Sequence, residues 1–479
     1  MFELHHLSAQ ELWDWIRRGD TTAREATEHY LARIDRLDPG LGAFVTVTSD
    51  AARDRADRLG HLVPTSRPLY GLPSGDKDLY DRAGVPTGSG TVALPERPAT
   101  VDHPLVAALA AAGAVSLGKT ASPEFGMSSS SETRRGTTRN PYDTTRAPGG
   151  SSSGAAVAVA AGLLPAAVGS DGGGSVRIPA AATGLVGLKP SRGRVPSMPG
   201  RSGVGGLSVA GPLTRTVADA GMYLDALVAP TGLDEPVPYA LVTPDVGDGP
   251  FTAAAVRGEG RFVVGVLEGS PWDDTVDVVV DPAARDAVET AVRVLSEVGH
   301  GIEDVAMPRA PYASAFRVAW ESSAARLPSV PGIDLDALTP LVSWLVARGA
   351  ALSGTQVLDA MTALDTFSTT LISAFGRFDA VLTPTLALTP RPLGWYGDDP
   401  SEDFRRQCAY SPWTSMANVA GLPAITLPVG VTAPDHPDGG GLPMGVQLIG
   451  RPGGERTLLA LGAQLERRLR WQRRHPPGW

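Results

Sequence analysis

Apolar residues recur along this chain at helical spacing in some segments and as short continuous runs in others. Ala26, Tyr30, Ile34 and Leu37 lie three or four residues apart, which predicts an amphipathic helix. The run "FVVGVLEG" (262–269) is typical of a buried strand. The predicted helices are 8–18, 22–37, 103–113, 214–227, 282–299 and much of 310–376, the predicted strands are 42–47, 114–120, 262–269 and 378–384, and the end, 408–470, is predicted as helix, strand, strand and helix.

This alternation predicts an α/β fold in which helices cover the faces of a sheet. The segment 140–206 is rich in Gly, Ser and Pro but interleaved with apolar runs, so we expect a site built from loops on a core. Residues 228–260, rich in Pro, Gly and Asp, are expected to form a variable excursion. No repeat period is visible along the chain.

The composition is that of a well-packed globular protein. The chain has 479 residues, of which 42% are hydrophobic and 19% charged, and this length allows one large domain or two to three smaller ones. The formal net charge of −9 leaves no basic surface for nucleic acid or anionic lipid. We therefore expect neither of these as a partner.

Cysteine use and hydropathy favour a cytoplasmic protein. The single cysteine, Cys408, excludes an intramolecular disulfide, and we expect its thiol to be buried and inert. The N-terminal stretch contains acidic residues and has no apolar segment of the kind that marks a signal peptide. The longest apolar stretch, 154–169, is interrupted by Pro165 and is shorter than the ~20 residues of a membrane-spanning helix.

Almost all basic residues are arginines. Of the 42 basic residues, three are lysines (Lys77, Lys119 and Lys189), which leaves 39 arginines. A compositional bias toward arginine would have replaced lysine wherever arginine serves equally well. Arginine stays protonated in a protein, whereas a buried lysine can be neutral near pH 7 and accept a proton. Each remaining lysine is therefore a candidate for chemistry that arginine cannot perform.

The segment "GSDGGGSVRIPA" (169–180) places three glycines before a serine. Such a run can cradle a phosphate, act as a linker, or present a nucleophile beside backbone donors. Without side chains, Gly172, Gly173 and Gly174 can turn their N–H groups toward one point and form an oxyanion hole for attack by Ser175. The apolar flanks argue against a linker, because linkers are not framed by core-like segments.

Three other short motifs fit their patterns but lack the expected context. "GAVSLGKT" (113–120) matches a phosphate loop, yet that loop should follow a strand and here follows a predicted helix. "GSSSG" (150–154) matches the nucleophile elbow of Ser–His–Asp hydrolases, but no strand precedes it. "SGDK" (74–77) imitates the first motif of penicillin-binding enzymes, whose Lys-Thr-Gly motif does not follow. These interpretations remain open as alternatives.

A serine hydrolase without a nearby histidine needs another base. No histidine lies between His103 and His300, which bracket the glycine run. A serine hydroxyl is a weak nucleophile until a base takes its proton, and a desolvated lysine is the remaining side chain of suitable basicity. A second serine between lysine and nucleophile can relay the proton.

Long stretches of the chain resemble the amidase signature family. The likeness covers "RAPGGSSSGAAVAVAAGLLPAAVGSDGGGSVRIPAAATGLVGLKPSRGRVP" (146–196), "GKTASPEFGM" (118–127), "GPLTRTVAD" (211–219) and "GLPAITLP" with "GLPMGVQLIG" (421–450). It therefore spans nearly the whole chain.

The resemblance implies a Ser–cis-Ser–Lys triad. Its nucleophile is the serine that ends the glycine run, Ser175, and its relay is Ser151, which opens the "GGSS" segment 24 residues earlier. The base is the lysine of "GLPSGDKD", Lys77. The three glycines before Ser175 match the oxyanion-hole positions of the family.

The resemblance also implies the architecture and the substrate pocket. We expect one α/β domain on a mixed, largely parallel sheet covered by helices on both faces, with no cofactor and no metal. Met127 and Ser130 are assigned to the substrate pocket, since the serines after Met127 lie where the family lines its acyl pocket. The expected segments are an N-terminal helical segment (1–60), a signature core (61–227), a variable, partly helical substrate-side region (228–420) and a C-terminal return to the core (421–479).

Two departures from the family pattern affect the site. Gly172 stands where many members have threonine, so we expect a looser oxyanion hole. Asp76 beside the base would favour the ammonium form if both side chains faced one cavity. Neighbouring side chains point oppositely on a strand, so we expect Asp76 to face away from Lys77. We also expect Arg177 to brace the glycine run through Asp171.

The expected function is hydrolysis of a small-molecule carboxylic amide to carboxylate and amine or ammonia through an acyl-enzyme. The alternatives are the amidase subunit of a tRNA-dependent amidotransferase and a catalytically dead binding protein. "SDGGGS" in place of "SDTGGS" and the acidic surface favour the hydrolase. Lys119 and Lys189 are assigned structural roles, and Trp395, Tyr396 and Trp413 point to an apolar or aromatic amide. We leave a homodimer open.

Overall fold

Helices and strands alternate through the computed structural model, which describes residues 3–60, 67–195, 204–228 and 250–479. The strands are β1 (Phe44–Val47), β2 (Pro73–Lys77), β3 (Val115–Thr120), β4 (Glu132–Thr133), β5 (Gly136–Thr137), β6 (Ala166–Asp171), β7 (Val186–Lys189), β8 (Val209–Thr214), β9 (Val263–Glu268), β10 (Gly301–Ala306), β11 (Ala380–Pro384), β12 (Ala424–Val431) and β13 (Pro443–Gly450). The α-helices are α1 (Ala9–Arg18), α2 (Ala23–Leu41), α3 (Ser49–Leu59), α4 (Pro104–Ala111), α5 (Ser153–Ala160), α6 (Arg177–Ala182), α7 (Val217–Val228), α8 (Phe251–Arg257), α9 (Pro282–Val298), α10 (Ala313–Ala324), α11 (Pro340–Ala350), α12 (Gly354–Phe375), α13 (Pro400–Tyr410), α14 (Thr414–Val419) and α15 (Glu455–Leu469).

Eleven of these strands form one sheet in the order β1-β3-β2-β6-β8-β7-β12-β13-β11-β9-β10, and β4 pairs with β5 separately. β2 runs parallel to β3 and β6, and β9 runs parallel to β10 and β11. The strands between these two groups, and β1 at one edge, pair in antiparallel fashion. The predicted α/β class and mixed sheet are confirmed, and the parallel pairs concentrate around β2 and β9.

Helix ends follow the capping chemistry of the sequence. At the start of α2, the Thr22 hydroxyl accepts from the Glu25 amide while the Glu25 carboxylate accepts from the Thr22 amide. Helix α9 begins at Pro282 under the side-chain cap of Asp281 and ends at Gly299 in the left-handed region. Such signals explain why α9 lies close to its predicted bounds and why α2 begins where predicted, although α2 continues through Pro39 to Leu41, past its predicted end at 37.

Some elements were not predicted, for identifiable reasons. The buried face of α3 consists of Ala52, Ala56 and Leu59 on an otherwise polar helix, so its apolar signal is weak. Strand β10 is an edge strand that exposes Glu303 and Asp304. The excursion predicted for 228–260 falls largely outside the described residues, although α8 lies at its end.

The segment 140–206 contains more regular structure than a site built from loops suggests, although Ser151 and the glycine run do lie in its connections. Helix α5, strand β6, helix α6 and strand β7 all lie there, and every residue of α5 is buried. A helix buried on all sides shows no polar face, so its period is invisible in the sequence. The glycine run is the connection between β6 and α6, at the end of a central strand.

Two hydrophobic clusters fill the space around the sheet. The larger one includes Leu12, Tyr30, Val157 and Leu448, and the second packs α10, α12 and α14 against one end of the sheet. Met127 and Trp320 lie at the border of the second cluster. Across the described residues, no helix combines the length and the apolar character that crossing a membrane requires.

Candidate active site

Lys77 ends strand β2, and its side chain is fully buried. Its Nζ lies 2.7 Å from Ser151 Oγ, 2.8 Å from Ser170 Oγ and 3.0 Å from Ser152 Oγ. Burial lowers the pKa of this amine to about 7, against the opposing influence of the Asp171 carboxylate. The amine is therefore surrounded by hydroxyl groups and can be neutral near pH 7.

Two of these hydroxyls come from the start of α5. The Gly150–Ser151 peptide bond is cis, and Ser152 occupies the N-cap position. The Ser152 amide donates to the Ser175 carbonyl at 3.1 Å, and its Oγ lies 3.4 Å from the Ser170 carbonyl oxygen. These contacts hold the predicted relay beside the predicted base and tie both to the segment that carries the predicted nucleophile. Ser152 and Ser170 were not predicted as partners of the lysine.

Asp171 lies fully buried at the end of β6 and is paired with Arg177, as expected from the sequence. Arg177 Nη2 donates to Asp171 Oδ1 at 2.8 Å and Nε donates to Oδ2 at 3.0 Å. Burial alone would raise the pKa of Asp171, but the guanidinium lowers it to about 2. Arg177 also donates to the Thr414 carbonyl at 2.8 Å and to Asn418 Oδ1 at 2.7 Å.

The glycine run offers fewer free amides than the sequence predicted. The Gly174 amide donates to Asp171 Oδ1 at 2.8 Å, which corrects its assignment to the oxyanion hole. The amides of Gly172, Gly173 and Ser175 have no hydrogen-bond partner within the described part of the chain. These three N–H groups are therefore the candidate donors to an oxyanion.

Two cavities meet at Ser175. The narrow cavity has a volume of about 60 Å³ and an aromatic lining, while the wide cavity, of about 330 Å³, contains Ser151 and Ser170. Neither lining contains an Asp, Glu, Lys or Arg side chain among the described residues. The two linings share Gly126, Met127, Ser175 and Trp320.

The predicted pocket residues differ in their positions. Met127 lines both cavities. Ser130 lines neither, because its Oγ accepts a hydrogen bond from the Glu132 amide at 3.1 Å. Ser128 and Ser129 line the narrow cavity instead.

The aromatic residues singled out in the sequence serve packing. Trp395, Tyr396 and Trp413 line neither cavity, and the Tyr396 hydroxyl lies 2.9 Å from Ser129 Oγ, behind the pocket wall. Cys408 is buried as expected, and burial raises the pKa of its thiol. Cys408 also lines the narrow cavity, which could not be predicted from a single cysteine in the sequence.

The other two lysines bind backbone carbonyls. Lys119 Nζ donates to the Tyr80 carbonyl at 2.5 Å and to Thr87 Oγ1 at 2.9 Å. Lys189 Nζ donates to the Pro190 carbonyl at 2.8 Å. Neither side chain lines a cavity at Ser175, which supports the structural roles assigned to them.

Asp76 faces away from the base, as the strand geometry predicted. Its carboxylate accepts from Arg82 Nε at 2.5 Å and from Ser116 Oγ at 2.7 Å. Lys77 on the same strand points to the opposite side, toward the serines. The adjacent carboxylate therefore does not contact the amine.

One group of described side chains has the spacing of metal ligands, namely Glu3, His5 and His29. His5 Nδ1 lies 3.2 Å from His29 Nε2, so the two imidazole rings are hydrogen-bonded to each other. Burial, and then the nearby Arg33 charge, lower the pKa of His5 to about 3. The same arginine disfavours a cation, and none of these residues lines either cavity.

The chain is similar to known amidases over nearly its whole length. The family model described as Amidase matches residues 25–459. AmiB2 of Mycobacterium bovis, provisionally named an amidase, is 37% identical over 96% of this chain and 95% of its own length. A glutamyl-tRNA(Gln) amidotransferase subunit from Roseiflexus sp. (strain RS-1) is 33% identical over 99% of this chain and 98% of its length.

The fold of the chain is also similar to solved structures of amide hydrolases. The structure of 6-aminohexanoate cyclic dimer hydrolase complexed with substrate superposes with a TM-score of 0.88, at 27% identity and 99% coverage of both chains. Fold and relatives together define a hydrolase that acts on carbon–nitrogen amide bonds. The chain belongs to the amidase signature family.

Proposed function

We propose that this protein hydrolyses a small carboxylic amide to carboxylate and amine through an acyl-enzyme on Ser175, with Ser151 as proton relay and Lys77 as base. The observation that carries the proposal is the buried amine of Lys77, 2.7 Å from Ser151 Oγ. A buried, neutral amine can accept a proton at neutral pH, whereas an exposed lysine is protonated.

The hydrogen bonds around Lys77 support one direction of proton transfer. A neutral amine has two N–H donors and one lone pair, so of its three hydroxyl neighbours two accept and one donates. Ser152 Oγ lies near the Ser170 carbonyl, to which it can donate, and this leaves it as an acceptor from Lys77. With Ser170 as the second acceptor, Ser151 donates to the lone pair and in turn accepts the Ser175 proton.

The remaining steps follow from this arrangement. Ser175 Oγ attacks the carbonyl carbon as its proton passes through Ser151 to Lys77. The oxyanion accepts hydrogen bonds from the amides of Gly172, Gly173 and Ser175. The C–N bond breaks as Ser151 returns a proton to the nitrogen. Water then attacks the acyl carbon while one of its protons passes through Ser151 to Lys77, and the ester bond breaks as this proton returns to Ser175 Oγ and the carboxylate leaves.

The role of amidotransferase subunit is not favoured by the cavities. A free amino-acid amide carries an ammonium and a carboxylate, and burying unpaired charges is expensive. The linings of both cavities at Ser175 provide no charged Asp, Glu, Lys or Arg partner for either group among the described residues. An uncharged amide fits these surfaces better.

The experiment is hydrolysis by the purified chain alone, without ATP, tRNA or partner proteins. A panel of uncharged alkyl and aryl amides is incubated with the enzyme, and carboxylate and amine are both quantified. We expect equimolar products from the wild type and none from Ser175→Ala. Hydrolysis that appears only with added partner proteins, or that survives in folded Ser175→Ala, would contradict the proposal.

A further inference from the structure

Three aromatic rings form a stack on helix α10. Phe316 and Trp320 lie four residues apart on one face of α10, and Tyr312, the residue that caps the helix, precedes Phe316 by the same spacing. The ring centroids of Tyr312 and Phe316 are 5.8 Å apart and those of Phe316 and Trp320 5.6 Å apart, with an angle of 18° between the planes of each pair. The Tyr312 hydroxyl, 2.6 Å from Ser415 Oγ, anchors the buried end. Trp320 is the outermost ring of the stack and is half-buried.

This stack packs against the glycine run. A Cβ atom added at Gly173 would lie 3.6 Å from Phe316 Cζ, and one added at Gly172 would lie 3.7 Å from Trp320 Cη2. These are ordinary van der Waals distances. Trp320 thus covers the residue whose amide is a candidate oxyanion donor, and it lines both cavities.

The two cavities can be assigned to the two halves of the substrate if the proposed function holds. Ser151 lines the wide cavity and is absent from the lining of the narrow one, while Ser175 lines both. The leaving nitrogen must lie beside the group that protonates it, which is Ser151. The amine half therefore occupies the wide cavity, and the acyl half occupies the narrow cavity.

The narrow cavity is suited to a flat apolar group. Its lining contains no charged side chain among the described residues, so a charged acyl group would lose its hydration without a partner. Aromatic rings and a methionine sulfur pack favourably against another ring. The apolar part of the lining consists of Met127, Ile178, Trp272, Phe316, Trp320, Phe404 and Cys408.

We propose that the acyl half of the substrate is an uncharged arylacyl group, and that Trp320 is the residue that selects it. Phe316 and Trp272 hold the Trp320 ring in place, since Trp272 meets Phe316 edge-on at 5.6 Å and 80°. The substrate ring packs against the indole while its carbonyl oxygen reaches the Gly172 and Gly173 amides.

The test compares kcat/KM for phenylacetyl, cyclohexylacetyl and 4-carboxyphenylacetyl amides of one common amine. A methylene group separates each ring from the carbonyl, so the carbonyls differ little in intrinsic reactivity. One aromatic contact contributes about two- to tenfold, so we expect the wild type to prefer phenylacetyl over cyclohexylacetyl by about five- to tenfold. The carboxylated substrate should react about a hundredfold more slowly than phenylacetyl.

The variant that isolates the selecting residue is Trp320→Leu, and its readout is the phenylacetyl to cyclohexylacetyl ratio, whatever the absolute rate. This ratio should fall below about three, whereas Trp320→Phe should retain part of the preference. The matched control is Trp13→Leu on α1, a half-buried tryptophan that packs against the other hydrophobic cluster, lines neither cavity and should leave the ratio unchanged.

Two results would overturn the inference. One is a wild-type ratio near one, and the other is a ratio that Trp320→Leu leaves intact. Neither result touches the proposed function, which depends on the loss of hydrolysis in Ser175→Ala. Conversely, hydrolysis by folded Ser175→Ala would remove the basis for assigning the two cavities.

Discussion

Arg177 donates two hydrogen bonds, of 2.8 Å and 3.0 Å, to the Asp171 carboxylate, and both side chains are fully buried. The same carboxylate accepts from the amides of Gly174 and Val176, on either side of Ser175. The ion pair thereby shapes the turn that presents Ser175. Its removal has consequences for both stability and activity.

Replacement of Arg177 by methionine should leave Asp171 charged and unpaired in the interior. We expect the free energy of unfolding to fall by about 3–5 kcal/mol, measured by urea denaturation. Arg293→Met, at an exposed pair with Glu297 at 3.0 Å, should change it by less than about 0.5 kcal/mol. Equal stability of Arg177→Met and wild type would show that the pair does not hold the turn.

Lys77→Arg tests whether a neutral amine is needed. Arginine keeps the charge but cannot lose its proton near neutral pH. We expect kcat to fall by about 10²–10⁴-fold while circular dichroism shows an intact fold. Lys119→Arg, at a lysine that binds backbone carbonyl and hydroxyl groups, should lose far less. Near-full activity in Lys77→Arg would remove the base from the mechanism.

The pH dependence follows from the lowered pKa of Lys77. The amine is protonated and inactive below a pKa of about 7 and neutral above it, so kcat/KM should rise with pH and level off above about 7. The free energy of unfolding should also rise with pH. An unfolded lysine keeps its proton to about pH 10, whereas the folded Lys77 loses it near pH 7, so the unfolded state binds more protons and this group increases stability between about pH 7 and 10. A kcat/KM that is flat from pH 5 to 9 would contradict the assignment.

A fluorophosphonate probe should label Ser175. An activated serine beside oxyanion donors attacks phosphorus as it attacks a carbonyl carbon. Peptide mapping by mass spectrometry locates the adduct, and Ser175→Ala should abolish it. An adduct on Ser152 would instead support the nucleophile-elbow interpretation of "GSSSG".

Two neighbouring glycines should respond differently to alanine. Gly174 has a φ of +129°, and a Cβ there would clash with Thr414, so we expect Gly174→Ala to lose about 1–3 kcal/mol of stability. A Cβ at Gly172 would meet Trp320 at 3.7 Å, so Gly172→Ala should fold with nearly wild-type stability. Thermal unfolding of both variants checks this, and equal effects would contradict the described turn.

The sequence was most informative where few side chains could perform a task. The rarity of lysine reduced the candidate bases to Lys77, Lys119 and Lys189, and the family resemblance selected Lys77 among them, while Ser175 could be singled out because a glycine run precedes it. Ser152 and Ser170 could not be predicted as partners of Lys77, since serines are common and their proximity arises from the packing of α5 against β6. Their spacing in the sequence carries no trace of that contact.

Trp320 shows the limit of spacing arguments. Aromatic residues spaced four apart along a helix are usually buried in the hydrophobic core, and this holds for Tyr312 and Phe316. The Trp320 ring lines the cavities because α10 packs against the glycine run, a contact that the sequence does not reveal. The misplacement of Ser130 has a similar cause, because one step along an irregular segment turns a side chain from the cavity toward backbone.

The contacts of Arg177 also bear on when this enzyme becomes active during its synthesis. All three proposed catalytic residues have left the ribosome once Ser175 has emerged, but the Thr414 carbonyl and the Asn418 side chain that Arg177 binds arrive about 240 residues later. A nascent chain without this C-terminal segment cannot complete the hydrogen bonds of Arg177 and Asp171. We therefore expect amide cleavage to begin only after the segment around Thr414 and Asn418 has been synthesised and has packed against Arg177.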